Sequence, residues 1–175
     1  MTGLAQPSAG MERRILDFAR SDLFVRTFSE GMALVEETAA YLDGPGRAAS
    51  RRLDRAASLA YAAESMRLTT RLMQVASWLL VQRALREGDL PVSDALEEKY
   101  RMSARARAQA ELPGAIPHGV ELPEGLLALA NRGDRIFERV RRLDDQIYGE
   151  AAAEAEQPQG ARAQIDLLRK AFGEN

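Results

Sequence analysis

Apolar residues recur every three or four positions through most of this chain, and no run alternates apolar with polar residues as a half-buried strand would. Ser21 is suited to N-capping and Asp22 to the first turn, so the stripe Phe24, Phe28, Gly31, Val35, Thr38 and Leu42 predicts a helix over 21–43. "DGPG" at 43–46 ends it, because glycine tolerates a left-handed cap and proline cannot continue the ladder. A second stripe, Leu53, Ala57, Tyr61, Leu68, Leu72, Val75 and Leu79, predicts a helix over 47–87, with Glu64 interrupting the pattern and "EGDLP" stopping it. At 1.5 Å per residue that helix is roughly 60 Å long. The third stripe is the cleanest: Leu126, Leu129, Gly133, Ile136, Val140, Leu143 and Ile147 predict a helix over 123–148 with Pro123 as its first residue.

Between the second and third stripes, "SDALEEKYRMSARARAQA" predicts a weaker helix over 93–110, and "LPGAIPHGVELP" at 112–123, with three prolines and two glycines, is a loop. Residues 1–20 read as a disordered or short helical segment, with 11–20 the helical part. From 149 onward an alanine, glutamate and glutamine linker, broken by Pro158 and Gly160, leads to a tail in which Ala161, Ile165, Leu168 and Phe172 step by four, three and four. Burying the three large tail residues contributes about 1.5–3 kcal/mol each, against roughly 2–5 kcal/mol for ordering the segment. Weak, reversible docking is the expected outcome. Three helices sharing a three-four stripe bury it only against one another, so the expected fold is all-α: an antiparallel three-helix bundle over 21–148 with a flexible C-terminal tail over 149–175.

Charge changes this picture little. Twenty-four basic residues face twenty-six acidic ones, so there is no overall pull toward nucleic acid or anionic lipid. Absence of cysteine removes disulfides, thiolate metal sites and a cysteine nucleophile. The N-terminus does not read as a signal peptide, and the eleven uncharged residues between Arg71 and Arg83 are too few to span a bilayer. His118 is the single histidine, in the proline-rich loop, and no Walker or Gly-x-Gly-x-x-Gly sequence occurs. No catalytic, cofactor or metal site is therefore expected. The arginines at 47, 51, 52 and 55 and at 132, 135, 139, 141 and 142 are interspersed with acids. They read as a solvated, ion-paired face, then as a surface for an acidic protein, and last as a DNA contact.

The stretch "RLTTRLMQVASWLLVQRA", Arg67 to Ala84, holds the only tryptophan. On a helical wheel Leu68, Leu72, Val75 and Leu79 centre one face, and Thr69, Met73, Ala76 and Leu80 widen it. The opposite strip begins polar with Arg67, Arg71 and Gln74 and turns apolar at Trp78, Val81 and Leu85. That second surface is either extra core or an interface with a second copy or a partner.

"FVRTFSEGMALVEETAAYLDGPGR" (24–47) and "YAAESMRLTTRLMQVASWLLVQRALREG" (61–88) resemble the bacterial RcdA family, regulators of CtrA degradation, and "LPEGLLALANRGDRIFERVRRLDDQIY" (122–148) resembles it more loosely. The resemblance implies a protease adaptor rather than an enzyme. It would act with the ClpXP protease, a CpdR-like primer and a PopA-like adaptor on cargo such as CtrA. It further implies a homodimeric three-helix bundle in the cytoplasm, concentrated at a cell pole. Nucleic acid and membrane are not expected partners. On this reading Arg67, Arg71, Gln74, Trp78 and Leu85 are candidates for self-association or cargo contact, and Ile165, Leu168 and Phe172 for a tethered docking element. The alternative is a helical DNA-associated or scaffolding regulator acting through its arginine-rich faces.

Overall fold

The structure, a computed structural model, describes residues 9–102 and 119–156, with side chains through 149. Helix α1 (Ala9–Arg20) meets α2 (Asp22–Asp43) at a single-residue corner. There the Ser21 hydroxyl accepts from Phe24 N at 3.2 Å and donates to the Phe18 carbonyl at 2.7 Å. Ser21 is thus the expected N-cap and also the hinge between two helices. Gly44 N donates to the Ala40 carbonyl at 3.0 Å to close α2, and α3 (Pro45–Ser50) starts on the proline.

The helix expected over 47–87 is two. After α3 the chain breaks at 51–54 and restarts as α4 (Arg55–Glu87), where the Asp54 side chain accepts from Ala57 N at 2.8 Å. A carboxylate cap without a neighbouring glycine or proline restarts the helix. Gly88, at φ 83°, ends α4 as expected, with Asp89 N reaching back to the Ala84 carbonyl at 2.9 Å. Helix α5 (Val92–Ala95) and a 3₁₀ turn (Glu98–Tyr100) occupy the first part of the expected 93–110 helix, and the rest of it, with His118, lies outside the described residues. The last helix, α6 (Glu124–Glu156), opens with the Pro123 carbonyl accepting from Leu126 N at 3.0 Å. It continues eight residues past Tyr148, into a segment expected to be linker, where alanine and glutamate favour helix.

Among the described residues the architecture is all-helical, but it is not the expected antiparallel three-helix bundle. Two features differ. First, α4 and α6 run parallel: Arg67 pairs with Asp134, Trp78 with Asp144 and Gln82 with Tyr148, so both sequences ascend together. Helix α2 is antiparallel to both, with Glu37 and Glu30 meeting Arg132 and Arg139 and Phe28 meeting Arg83. The end of α4 at Gly88 and the start of α6 at Pro123 therefore lie about 45 Å apart at helical rise, a distance the connection between them must span. Second, α1 is a fourth packing element: Met11, Ile15 and Ala19 are buried, and the helix touches α2, α4 and α6.

Two glycines in the stripes are points of close approach. A Cβ on Gly31 would lie 2.7 Å from Leu79 Cδ1 and 3.4 Å from Ile136 Cδ1, and one on Gly133 would lie 2.6 Å from Leu68 Cδ1. Leu68, Leu79 and Ile136 sit fully inside the core, with little room to retreat. Gly133→Val should cost about 1–3 kcal/mol by overpacking, read as a lowered urea midpoint. Gly149→Val, where nothing lies within 4 Å, is the control and should shift the midpoint far less.

Candidate functional site

The seam between α4 and α6 is clamped by polar groups at two levels. At one level the Arg67 guanidinium spans Glu64, with Nε to Oε2 at 2.8 Å, and Asp134, with Nη1 to Oδ1 at 3.1 Å. Arg71 pairs with the same Asp134 and lies 5.4 Å from the centre of the Phe137 ring. Glu64, which broke the sequence stripe, is thus a buried carboxylate held by an arginine one turn later.

The other level centres on Asp144, a carboxylate with no solvent exposure. Its Oδ1 accepts from Trp78 Nε1 at 2.9 Å, the Arg101 Nε lies 3.2 Å from both oxygens, and Met102 N donates to Oδ2 at 3.2 Å. Arg101 also covers the Tyr148 ring, 4.6 Å from its centre. The Tyr148 hydroxyl lies 2.9 Å from Gln82 Nε2 and 3.1 Å from its Oε1. Burial is the main cause that pushes the Tyr148 hydroxyl up to about 12. One carboxylate therefore ties α4, α6 and the start of the returning connection together, with donors enough to hold a buried charge.

These contacts correct the expected interaction surface. Trp78 and Leu85 are buried in the chain's own core, with Trp78 5.8 Å from the Phe18 ring of α1. At Trp78 the apolar half of the second strip meets Phe18 of α1, a neighbour the wheel left open. Arg67 and Arg71 are engaged with acids of the same chain, and Gln74 is half-buried between the two levels. None of the five forms an open docking patch. Ile165, Leu168 and Phe172 lie outside the described residues.

The surface left open on α4 is a different one. Leu59 is 74% exposed, Met66 66%, Met73 49% and Leu80 49%, at a spacing of seven throughout. Ala62, Ala63 and Thr69 beside them are exposed, and Thr70 and Ser77 partly so. From Ala56 to Gln82 the only charged residues are Glu64, Arg67 and Arg71, and all three face α6 or its acids. An uncharged helix face about 31 Å long is unusual on a chain in which 29% of residues are charged. Sequence reasoning missed it because the 68–72–75–79 stripe next to it is stronger; the seven-residue spacing was the available signal.

The arginine-rich face of α6 is partly neutralised: Arg132 pairs with Glu37, Arg139 with Glu30, and Arg141 with Glu138 and Asp145. Arg132 holds the exposed Glu37 carboxyl below its usual range. Among the described residues no group of three histidine, cysteine, aspartate or glutamate side chains is placed to hold a metal, and no helix is long and apolar enough to cross a membrane.

Residues 15–172 match the family described as "Protein of unknown function (DUF1465)". The crystal structure of RcdA from Caulobacter crescentus CB15 is similar at 57% sequence identity and a TM-score of 0.61, covering 76% of this chain and 97% of that one. The chain belongs to the RcdA family. No curated protein sequence matches it. The similarity to RcdA extends through almost the whole of that protein.

Asp144→Ala should cost about 3–5 kcal/mol, because it strands Arg101 and the indole N–H of Trp78 inside the protein; a change in unfolding free energy below about 1 kcal/mol would contradict the clamp. A second expectation concerns alkaline pH. Tyr148 holds its proton more tightly folded than unfolded, so its contribution is intact below pH ~10 and is lost as pH rises toward about 12. The loss attributable to this group is of order 2–3 kcal/mol. Denaturation midpoints measured from pH 8 to 11.5 should fall less steeply for Tyr148→Phe than for the parent chain.

Proposed function

We propose that this chain is an adaptor for regulated proteolysis, of the RcdA kind, rather than an enzyme. Its partners on this reading are the ClpXP protease, a CpdR-like primer and a PopA-like adaptor. Its cargo is cell-cycle regulators such as a CtrA-like transcription factor. It acts as a homodimer in the cytoplasm and gathers at a cell pole. The observation that carries the reading is the 57% identity to RcdA over 97% of that protein. The open, uncharged face of α4 supports it physically, since a chain that works by holding other proteins needs a surface from which charge has been cleared.

The tail stripe Ile165, Leu168 and Phe172 fits this reading as a tethered element, long enough as one short helix to fill a groove on a protease or partner. A tethered weak contact gains from effective concentration, so an individually weak docking helix is sufficient for delivery.

Reconstitution tests the proposal. With purified ClpXP, ATP and a CpdR-like primer, adding this chain should speed degradation of a CtrA-like regulator several-fold, and leaving out either the primer or this chain should return the rate to its basal value. Replacing Ile165, Leu168 and Phe172 together by alanine should weaken delivery without changing the melting temperature. Unchanged degradation of every candidate regulator would remove the adaptor reading.

A further inference from the structure

The two groups of arginines that stand out in the sequence meet different surroundings. Along α6, Arg132, Arg139 and Arg141 are held by Glu37, Glu30, Glu138 and Asp145, and Arg135 and Arg142 stand between them unpaired. Arg47, Arg51, Arg52 and Arg55, at the corner between α3 and α4, are all exposed. Among the described residues none of these four makes an ion pair, a side-chain hydrogen bond or a ring contact. Asp54, the only acid between them, turns its Oδ1 to the Ala57 amide as the cap of α4. An ion-paired face therefore describes most of the α6 row and fails at this corner.

The corner holds its charges close and holds them still. Arg47 and Arg51 are one turn apart on α3 and its cap, Arg52 follows directly and Arg55 opens α4, so the four Cα atoms lie within about 20 Å of one another. Like charges so placed repel, and no described side chain relieves them. The backbone beneath is fixed. A Cβ on the buried Gly46 would lie 2.6 Å from Tyr41 Cε1 and 2.6 Å from the Tyr61 hydroxyl, so α3 is pressed against the end of α2 and the start of α4. Arg52 N donates to the Ala49 carbonyl at 3.0 Å, Leu53 N to the Ser50 carbonyl at 3.3 Å and Ala57 N to Asp54 at 2.8 Å. A partner meeting this corner does not have to order the backbone, which removes one cost of binding.

We propose that the corner between α3 and α4 is a docking site for a short acidic segment of a partner protein, whose carboxylates pair with Arg47, Arg51, Arg52 and Arg55. The planar guanidinium fork matches a carboxylate through two parallel hydrogen bonds and gives up its water more readily than an ammonium. The chain shows the same chemistry inside itself, where the glutamates of α2 take Arg132 and Arg139 of α6. An extended polyanion fits less well. Asp43 precedes the cluster, and Glu124 opens α6 at the same end of the bundle, where a Cβ on Gly125 would lie 2.5 Å from Tyr41 Cε2. A phosphate backbone running past the corner would meet these acids on a chain whose net charge is already −2. A segment with carboxylates over one short stretch does not. The inference stands on the charge of the corner and holds whether or not the chain serves a protease.

Anisotropy of a fluorescein-labelled peptide of alternating glutamate and alanine, titrated with the full-length chain, tests the site. The peptide should bind at low salt and loosen several-fold at physiological salt. Arg47→Gln, Arg51→Gln, Arg52→Gln and Arg55→Gln together should weaken binding about tenfold or more and leave the melting temperature in place, since all four side chains are exposed. The control carries Arg13→Gln, Arg26→Gln, Arg135→Gln and Arg142→Gln, also exposed, which changes net charge equally and should leave binding within about twofold of the parent. Equal weakening by both variants would assign the binding to the overall field and overturn the site, as would a parent chain that ignores the peptide at low salt. Duplex DNA or phosphatidylglycerol vesicles held more tightly than the peptide, and released by the corner variant, would give the site to a phosphate surface and overturn the acidic segment as its occupant.

Discussion

A single buried carboxylate fixes how the long helices face one another. Asp144 has no solvent, and a carboxylate in that position is tolerable only when donors surround it. Its donors come from three places in the sequence: the indole of Trp78, the guanidinium of Arg101 and the backbone of Met102. Satisfying it sets the rotation of α4 about its own axis, the register of α4 against α6 and the point where the returning connection touches the bundle. An apolar contact could slide by a turn, whereas three directed hydrogen bonds to one side chain cannot.

The rest of the surface follows from that rotation. With Trp78 turned inward, α1 lies over it through Phe18, and the stripe of Leu68, Leu72, Val75 and Leu79 fills the space toward α2 and α6. Arg67 and Arg71 then meet Asp134 at the other end of the seam. What remains on the far side of α4 is Leu59, Met66, Met73 and Leu80, exposed because every other face of the helix has a neighbour. The clamp that holds the protein together internally also decides which face it offers.

Much of this was legible in the residues. The cap at Ser21, the stop at Gly44 and Pro45, the left-handed Gly88 and the stripe from Leu126 to Ile147 are local signals, and local chemistry decided each of them. Orientation was not legible. Period and length say that helices pair but not whether they run parallel, and only the Arg67–Asp134, Trp78–Asp144 and Gln82–Tyr148 contacts resolve it. Trp78 and Leu85 stay open between core and interface in the sequence because the wheel reports that a face is apolar and says nothing of what covers it. The cover, α1, is short and held by Met11, Ile15 and Ala19, a weak pattern when read by itself. Glu64 reads as an interruption of the stripe because its partner is an arginine one turn away, and no local pattern marks Asp144, whose partner Trp78 is dozens of residues distant.

Trp78 is the only tryptophan, so its fluorescence reports the clamp directly. If Asp144 and α1 enclose the indole, emission of the folded protein is blue-shifted and resists acrylamide and iodide quenching, and dilution to nanomolar concentration leaves it so, because the enclosure lies within one chain. Red-shifted, readily quenched emission from a folded sample, or shielding that disappears on dilution, would place Trp78 at a surface and contradict the rotation of α4 on which the account rests.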